Sequence, residues 1–242
     1  MATVHNIVFD CNESILDLTT VTPVFQRLFG VPETMRVWFQ DLIIYSQALT
    51  IADVYVPFTD IGGAVLDMIA ASRGVQIVAP DHTELTDRFA TMPPYPEVPG
   101  APRRLKAAGF HLFTLTDNTA AISSRQLAHG GIIDLFDRRF SVDDTAKRHK
   151  PAPEAYAEVT QALGVSPSQM CLVACDTWDT IGAQAPGWEA GLSKRVNNDV
   201  LDAAAQPEYV GQDLNAIADQ LIARHSPGHG EVRSTPPPSH LE

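Results

Sequence analysis

The spacing of apolar residues divides the chain into two regions of different period. The first apolar run, residues 4–9 (VHNIVF), is rich in β-branched and aromatic residues and predicts a short strand that ends at Asp10. From there to residue 92 the apolar residues recur at helical spacing, which predicts helices near 24–29, 33–49, 59–71 and 84–89. Little strand signal interrupts them, so this region is predicted to be a helical subdomain inserted after the first strand.

Strand and helix patterns alternate in the second region, which begins after a stiff proline-rich connector at 93–99. Strands are predicted at 110–115, 139–142, 170–174 and 192–196, with helices ending at 109, spanning 120–128 and 153–163, beginning at 180 and covering 214–222. This order is typical of an α/β protein with a Rossmann-like parallel sheet core. We expect a core at 1–14 and 98–224, an inserted helical cap at 15–97, and a disordered Pro/Gly/Ser/His-rich tail at 225–242.

Composition narrows the class of partner. The 242 residues carry a formal net charge of −12, which argues against nucleic acid and anionic membranes as partners but leaves a small anionic substrate open. Cys11, Cys171 and Cys175 match no disulfide or metal framework and are expected to be reduced thiols in a cytoplasmic protein. We expect no leader ahead of the first strand, and no apolar run approaches transmembrane length.

Polar residues follow the predicted strands where each strand ends. Asp10 follows the first strand, Thr116-Asp117 the second, Lys150 a loop after the third, and Asp176 and Asp179 the fourth. The carboxyl ends of parallel strands share one edge of the sheet, so these side chains are predicted to meet in one crevice. A carboxylate nucleophile beside a lysine, with hydroxyl groups to bind an anion and further acids to orient water or hold a metal, suits hydrolysis through a covalent ester.

Each of these residues also has a purely structural interpretation. Asp10, Thr116, Asp117, Asp176 and Asp179 are residue types that cap helices or begin turns. Lys150 alone is typical of a solvated surface, and Trp178 of a core. The joint arrangement at successive strand ends favours the catalytic interpretation.

The segments FDCNES, LTDNT, KPAPEAY and ACDTWD, in this order, resemble the haloacid dehalogenase superfamily and, within it, the L-2-haloacid dehalogenases. The resemblance covers about residues 3–224. It implies that Asp10 displaces halide from the α-carbon of a small 2-haloalkanoic acid and forms an ester, without a cofactor. It further implies catalytic roles for Asp10, Ser14, Lys150, Asp176 and Asp179, and substrate contacts from Cys11, Asn12, Phe39, Gln40, Thr116, Asp117, Tyr156 and Trp178.

The sequence departs from the dehalogenase pattern at four places. Phe39 stands where the family has a halide-binding arginine, and Asp117 and Asp176 stand where it has asparagine. Asn12-Glu13 replaces an aromatic-glycine pair. These changes remove one positive charge and add negative charge around the expected substrate.

Two other functions stay open. The first is a Mg²⁺-dependent phosphatase of small phosphomonoesters with Asp10, the backbone carbonyl of Asn12 and Asp176 as metal ligands. Against it, the Asn12 side chain cannot be the general acid that such enzymes place at this position. The second is a non-catalytic binding protein with the same fold. A homodimer is among the assemblies that the resemblance allows.

Overall fold

The computed structural model describes residues 3–195 and 198–225. In this part of the chain, the strands are β1 (Asn6–Phe9), β2 (His111–Thr116), β3 (Arg138–Ser141), β4 (Met170–Ala174), β5 (Glu189–Ser193) and β6 (Tyr209–Gly211). The α-helices are α1 (Thr22–Phe29), α2 (Thr34–Ile51), α3 (Phe58–Arg73), α4 (Ala79–Ala90), α5 (Gly100–Ala107), α6 (Ala120–His129), α7 (Pro153–Leu163), α8 (Thr177–Gln184) and α9 (Leu214–His225).

The strands form one parallel sheet in the order β3-β2-β1-β4-β5-β6. β1 lies in the middle, is buried along its whole length, and pairs with β2 on one side and β4 on the other. The chain fills one side of β1 before it returns to the other, so the strand order reverses between β1 and β4. In open α/β sheets, ligands bind outside the carboxyl ends of the strands at this position. The predicted fold class is therefore confirmed.

Apolar side chains of successive strand residues enter different cores. Ile7 and Phe9 belong to a large cluster that continues into the helices inserted after β1, whereas Val8 packs in a second cluster with Phe113 and Leu172. This alternation is expected for a sheet covered on both faces, because neighbouring residues of a strand point to opposite sides.

Helices α1 to α4 form the inserted cap. Trp38 on α2 is its packing centre: its ring lies 5.3 Å from that of Phe25 and 6.1 Å from that of Phe89, and its Nε1 donates to the Gly62 carbonyl over 2.8 Å. Burying large aromatic rings while pairing the indole N–H is what stabilises such a small layer of helices. None of the described helices is long and apolar enough to cross a membrane.

The chain enters and leaves the cap through two segments that pair with each other. Leu16 forms an antiparallel bridge with Pro94, Asp17 N donates to Pro93 O over 2.8 Å, and Tyr95 N donates to Ile15 O over 3.1 Å. We call these two segments the hinge ribbon (15–17 and 93–95). The boundaries of core and cap at 14/15 and 97/98 stay predictions, but both lie close to this ribbon.

Several predicted elements shift. α4 begins at Ala79 instead of near 84, because Asp81 accepts a hydrogen bond from Val78 N over 2.9 Å and Pro80 suits a first turn. The fifth strand spans Glu189–Ser193 instead of 192–196. Positions 194 and 195 lie beyond its end, and 196 is outside the described residues. β6 was not predicted, since three edge residues give almost no pattern.

The helix after β4 begins at Thr177 instead of Thr180, so Trp178 and Asp179 lie in its first turn. Residue 225, which the prediction places in the tail, ends α9 with its ring buried against Tyr209 and Val4. The rest of the predicted disordered tail, 226–242, lies outside the described residues.

Candidate active site

Asp10 is held by donors on both of its carboxylate oxygens. It directly follows β1 and is 7% exposed. Its Oδ1 accepts from Lys150 Nζ over 2.8 Å and its Oδ2 from the Ser14 hydroxyl over 2.6 Å. The Ser14 oxygen in turn accepts from Cys175 N over 2.9 Å, which fixes the direction of the hydroxyl. The carboxylate is thus fixed in one orientation at the carboxyl end of β1.

Lys150 joins two carboxylates across the site. Its buried ammonium lies 2.8 Å from Asp10 Oδ1 and 2.6 Å from Asp179 Oδ2, and 5.6 Å from the centre of the Trp178 ring. Burial alone would lower the pKa of Lys150, but the charges of Asp10, Asp179 and Asp117 raise it well above its ordinary value. Lys150 therefore stays a cation between its two partners.

Asp179 is fully buried, and the Tyr156 hydroxyl donates to its Oδ1 over 2.6 Å. Burial raises the pKa of Asp179 to about 6, against the opposing effects of Lys150 and the Tyr156 hydrogen bond. The close approach of Tyr156 needs a glycine on α8: a Cβ at Gly182 would overlap the Tyr156 hydroxyl and Pro151. A carboxylate with a pKa near neutrality is suited to accept a proton during hydrolysis.

Asp176 occupies the N-cap position of α8, yet its side chain makes no capping hydrogen bond. Burial, followed by the charges of Glu13, Asp10 and Asp179, raises its pKa to about 8, with Lys150 opposing. At neutral pH Asp176 is therefore mostly a neutral carboxylic acid. The added negative charge expected at this departure from the family pattern is thus largely absent at pH 7.

Thr116 and Asp117 do not cap the following helix, since Thr119 takes that place. Thr116 is the last residue of β2, and its hydroxyl accepts from Asn118 N over 3.2 Å. Asp117 Oδ1 accepts from Lys150 N over 2.9 Å and lies 3.2 Å from His149 Nδ1. The side chain of Asp117 therefore holds the segment that carries Lys150; its expected contact with substrate stays a prediction.

Cys11 and Asn12 support the site from within the protein. Cys11 is fully buried, and burial together with the Asp10 charge raises the pKa of its thiol to about 12. Asn12 Oδ1 accepts from Asn118 Nδ2 over 3.0 Å and from Gln126 Nε2 over 3.2 Å. Both side chains are enclosed by the protein, and their contacts with substrate stay predictions.

A cleft of about 390 Å³ lies between the cap and the carboxyl edge of the sheet. Phe39, Gln40, Asp176 and Trp178, all predicted site residues, contribute to its lining. The cleft is also lined by Glu13, Arg36, Ile43, Ile44, Gln47 and Asn198. Asp10 and Lys150 are not among the described residues that line it.

Arg36 is a site residue that the sequence analysis missed. It lies three positions before Phe39 on α2, and its guanidinium pairs with the carboxylate of Glu13. Glu13 is 2% exposed and has a φ of 63°, in the left-handed region that favours glycine. The available signal was the i, i+3, i+4 spacing, which places Arg36 on the same helix face as Phe39 and Gln40. The cleft therefore contains a cation despite the phenylalanine at 39.

Arg195 was also missed, and it joins the core to the hinge ribbon. Its Nη2 donates to Ser14 O over 2.9 Å, it pairs with Glu97 at 2.7 Å, and its guanidinium lies 3.7 Å from the centre of the Tyr95 ring. No sequence pattern connects residue 195 with these distant partners.

Comparison with known proteins places this chain in a family. A family model for haloacid dehalogenase-like hydrolases matches residues 6–187, and the chain belongs to this class of hydrolases. The chain is 29% identical over 224 residues to (S)-2-haloacid dehalogenase 1 of Pseudomonas sp. (strain CBS-3), covering 92% of this chain and 98% of the relative. It is 24% identical over 225 residues to haloacetate dehalogenase H-2 of Moraxella sp. (strain B), covering 92% of this chain and 100% of the relative.

The fold is similar to that of the L-2-haloacid dehalogenase from Xanthobacter autotrophicus, with a TM-score of 0.83 at 21% identity, covering 90% of this chain and 98% of that structure.

Proposed function

We propose that the protein is a hydrolytic dehalogenase of small 2-haloalkanoic acids that works through a covalent ester on Asp10. The observation that carries this proposal is the Asp10–Lys150–Asp179 arrangement, in which one buried ammonium lies within 2.8 Å of one carboxylate and 2.6 Å of the other. The full-length similarity to (S)-2-haloacid and haloacetate dehalogenases supports this substrate class.

In the first step, an Asp10 carboxylate oxygen attacks the α-carbon of the substrate, and halide leaves with the bonding electrons. Ser14 and Lys150 fix the orientation of the nucleophile, so little freedom is lost when the ester forms. In the second step, water attacks the ester carbonyl and gives one proton to Asp179. The bond between the carbonyl carbon and the ester oxygen then breaks, the leaving oxygen takes the second proton of the water, and the 2-hydroxy acid departs from a regenerated Asp10 carboxylate. The pKa of about 6 makes Asp179 mostly ionised, and thus able to accept this proton, at neutral pH.

The cleft contains a binding group for an anionic substrate. Arg36 supplies a guanidinium whose fork of N–H groups fits a carboxylate, and Glu13 holds it in place. Asp176 is mostly protonated at neutral pH and so repels an incoming anion little. We propose that Arg36 binds the substrate carboxylate or the departing halide, and that Gln40 and Trp178 complete the pocket.

The residues fit a Mg²⁺ site poorly. Both Asp10 oxygens already accept hydrogen bonds, one from the Ser14 hydroxyl and one from the Lys150 ammonium, whose positive charge opposes a cation at this position. The acidic ligand atoms found within 4.8 Å of one another belong to Glu13, Cys175 and Asp176, which bring a thiol and a carboxylate already paired with Arg36. Mg²⁺ prefers oxygen ligands in octahedral geometry. We therefore propose a cofactor-independent reaction and assign no step to a metal.

Three free, buried cysteines among the described residues support our proposal of a cytoplasmic location, where thiols stay reduced. The homodimer stays a prediction.

The test compares product release by the purified protein. Halide release from 2-chloro- and 2-bromo-acids is measured in chelator, and phosphate release from phosphomonoesters in Mg²⁺. We expect halide release only, abolished in Asp10→Asn and retained in the control Asp202→Asn, whose side chain is exposed. Phosphate release that disappears with chelator would contradict the proposal and indicate a Mg²⁺-dependent phosphatase. Ligand binding without any turnover, unaffected by Asp10→Asn, would indicate a binding protein.

A further inference from the structure

His149 lies between the cap and the catalytic lysine, and both of its ring nitrogens face oxygen atoms. The side chain is fully buried. Its Nδ1 lies 3.2 Å from Asp117 Oδ1, and its Nε2 lies 2.9 Å from the carbonyl oxygen of Val56 in the cap. A carbonyl oxygen only accepts hydrogen bonds, and so does an ionised carboxylate. A neutral imidazole donates from one nitrogen alone, so it satisfies only one of these contacts.

We infer that His149 is held as the imidazolium and that it is a positioning residue, which joins the cap loop 52–57 to the segment carrying Lys150. The link to the lysine is short: Asp117 Oδ1, which faces His149 Nδ1, also accepts from Lys150 N over 2.9 Å. The imidazolium neutralises Asp117, so this carboxylate adds no net charge beside an anionic substrate. The effect on turnover rests on the proposed function, but the protonation state does not.

The groups around the ring support a cation at this position. Burial alone would lower the pKa of His149, but the hydrogen bond and charge of Asp117, the Val56 carbonyl and the charge of Asp143 together raise it. The ring of Tyr55 stacks on the imidazole at 5.3 Å, and its hydroxyl donates to Asp143. Lys150, next in the chain, is the opposing cation, and its ammonium is occupied by Asp10 and Asp179.

Further contacts attach the same segment to the cap. His149 N donates to the Thr50 hydroxyl over 3.0 Å, Arg148 pairs with Asp53 at 2.7 Å, and the Lys147 ammonium lies 4.8 Å from the centre of the Tyr55 ring. When His149 loses its proton, either the Asp117 or the Val56 contact must be given up. The joint between cap and site then loosens as pH rises, and Lys150 loses part of its support.

The direct test is NMR of the imidazole nitrogens in ¹⁵N-histidine-labelled protein across the neutral and alkaline range, with His149 assigned by the signal absent in His149→Gln. We expect both nitrogens of His149 to be protonated at pH 7, with a midpoint above that of exposed His129. Asp117→Asn removes the counter-charge and should lower this midpoint. A single neutral tautomer at pH 7, or a midpoint unchanged by Asp117→Asn, would overturn the inference, whichever substrate the enzyme takes.

Kinetics separates positioning from mere structural support. In the halide assay, His149→Gln should lower kcat on the order of tenfold to a hundredfold at pH 7 and remove the alkaline decline of kcat, because a misplaced catalytic group costs rate. His129→Gln, a change at an exposed histidine, should keep the wild-type kcat at pH 7 and its alkaline decline. A folded His149→Gln variant with an unchanged kcat profile would contradict the positioning role. If no variant releases halide, the NMR result alone decides the protonation state.

Discussion

The hydroxyl of Tyr156 donates a hydrogen bond to Oδ1 of Asp179 over 2.6 Å, on a carboxylate whose other oxygen lies 2.6 Å from the Lys150 ammonium. Both donors stabilise the ionised form of Asp179 and lower its pKa against the effect of burial. The pKa of Asp179 therefore depends on the Tyr156 hydroxyl, although Tyr156 is not among the described residues that line the cleft.

Tyr156→Phe should therefore move the acid limb of kcat to higher pH. Asp179 must be ionised to accept a proton, so wild-type activity should fall as pH drops below about 6. Loss of the hydrogen bond raises the pKa of Asp179, and the fall should begin earlier. Halide release measured between pH 5 and pH 8 provides the check, with Tyr45→Phe at an exposed cap position as the control. An acid limb at the same pH in both variants would remove Asp179 as the proton acceptor.

Lys150→Ala should abolish turnover and destabilise the fold. It leaves the Asp10 and Asp179 charges buried without a counter-ion, and breaking a buried pair in this way costs about 3–5 kcal/mol. Lys106→Ala breaks a partly exposed pair with Asp137 away from the site and should cost about 1 kcal/mol or less. Urea unfolding at pH 7 measures both values. Equal losses in the two variants would show that the buried ammonium contributes nothing particular.

Asp176→Asn should change the pH dependence of stability. The pKa of Asp176 is raised from 3.8 to about 8, so between these values the folded protein binds more protons than the unfolded chain, and its contribution to stability falls as pH rises. The asparagine variant lacks this loss. Its melting temperature relative to wild type should therefore increase from pH 4 to pH 8 and stay level above.

The same variant should alter substrate affinity in the alkaline range. Wild-type KM for a 2-haloacid should rise above about pH 8, where Asp176 becomes an anion in the cleft. In Asp176→Asn this rise should be absent, while any alkaline decline of kcat that belongs to His149 should persist. A KM that rises equally in both proteins would place the responsible group elsewhere.

Arg36→Ala and Glu13→Gln should change KM in opposite directions. The first removes the guanidinium and leaves Glu13 unpaired in the cleft. Losing a hydrogen bond to a charged group costs about 1.5–3 kcal/mol of binding free energy, which corresponds to about a tenfold to hundredfold higher KM. The second frees the guanidinium for the substrate and should lower KM. Arg125→Ala, at an exposed pair with Asp87, serves as the matched control. If both variants raise KM alike, Arg36 supports structure only.

The sequence predicts the centre of the site better than its surroundings. Asp10, Lys150 and Asp179 meet because the carboxyl ends of parallel strands share one edge, so identifying the strands is enough to bring them together. The Arg36–Glu13 pair depends on how α2 is rotated against the core, which local pattern does not fix. The contact of His149 with the Val56 carbonyl depends on the docking of cap and core, and a backbone acceptor leaves no trace in the sequence. Asp176 looks like a cap residue by type, and only its enclosure among other acids reveals its neutral state.

The pairing of Leu16 with Pro94 has a consequence for how such proteins diversify. The chain leaves the sheet and returns to it at nearly one point. The arrangement of the strands therefore does not depend on how many residues lie between β1 and β2. The entropic cost of closing an inserted segment grows only with the logarithm of its length. Helices in the cap can therefore be replaced or lengthened, or their surface residues changed, with little effect on the stability of the sheet. Substrate preference can therefore change on the cap side of the hinge ribbon, while Asp10 and Lys150 keep their positions on the sheet side.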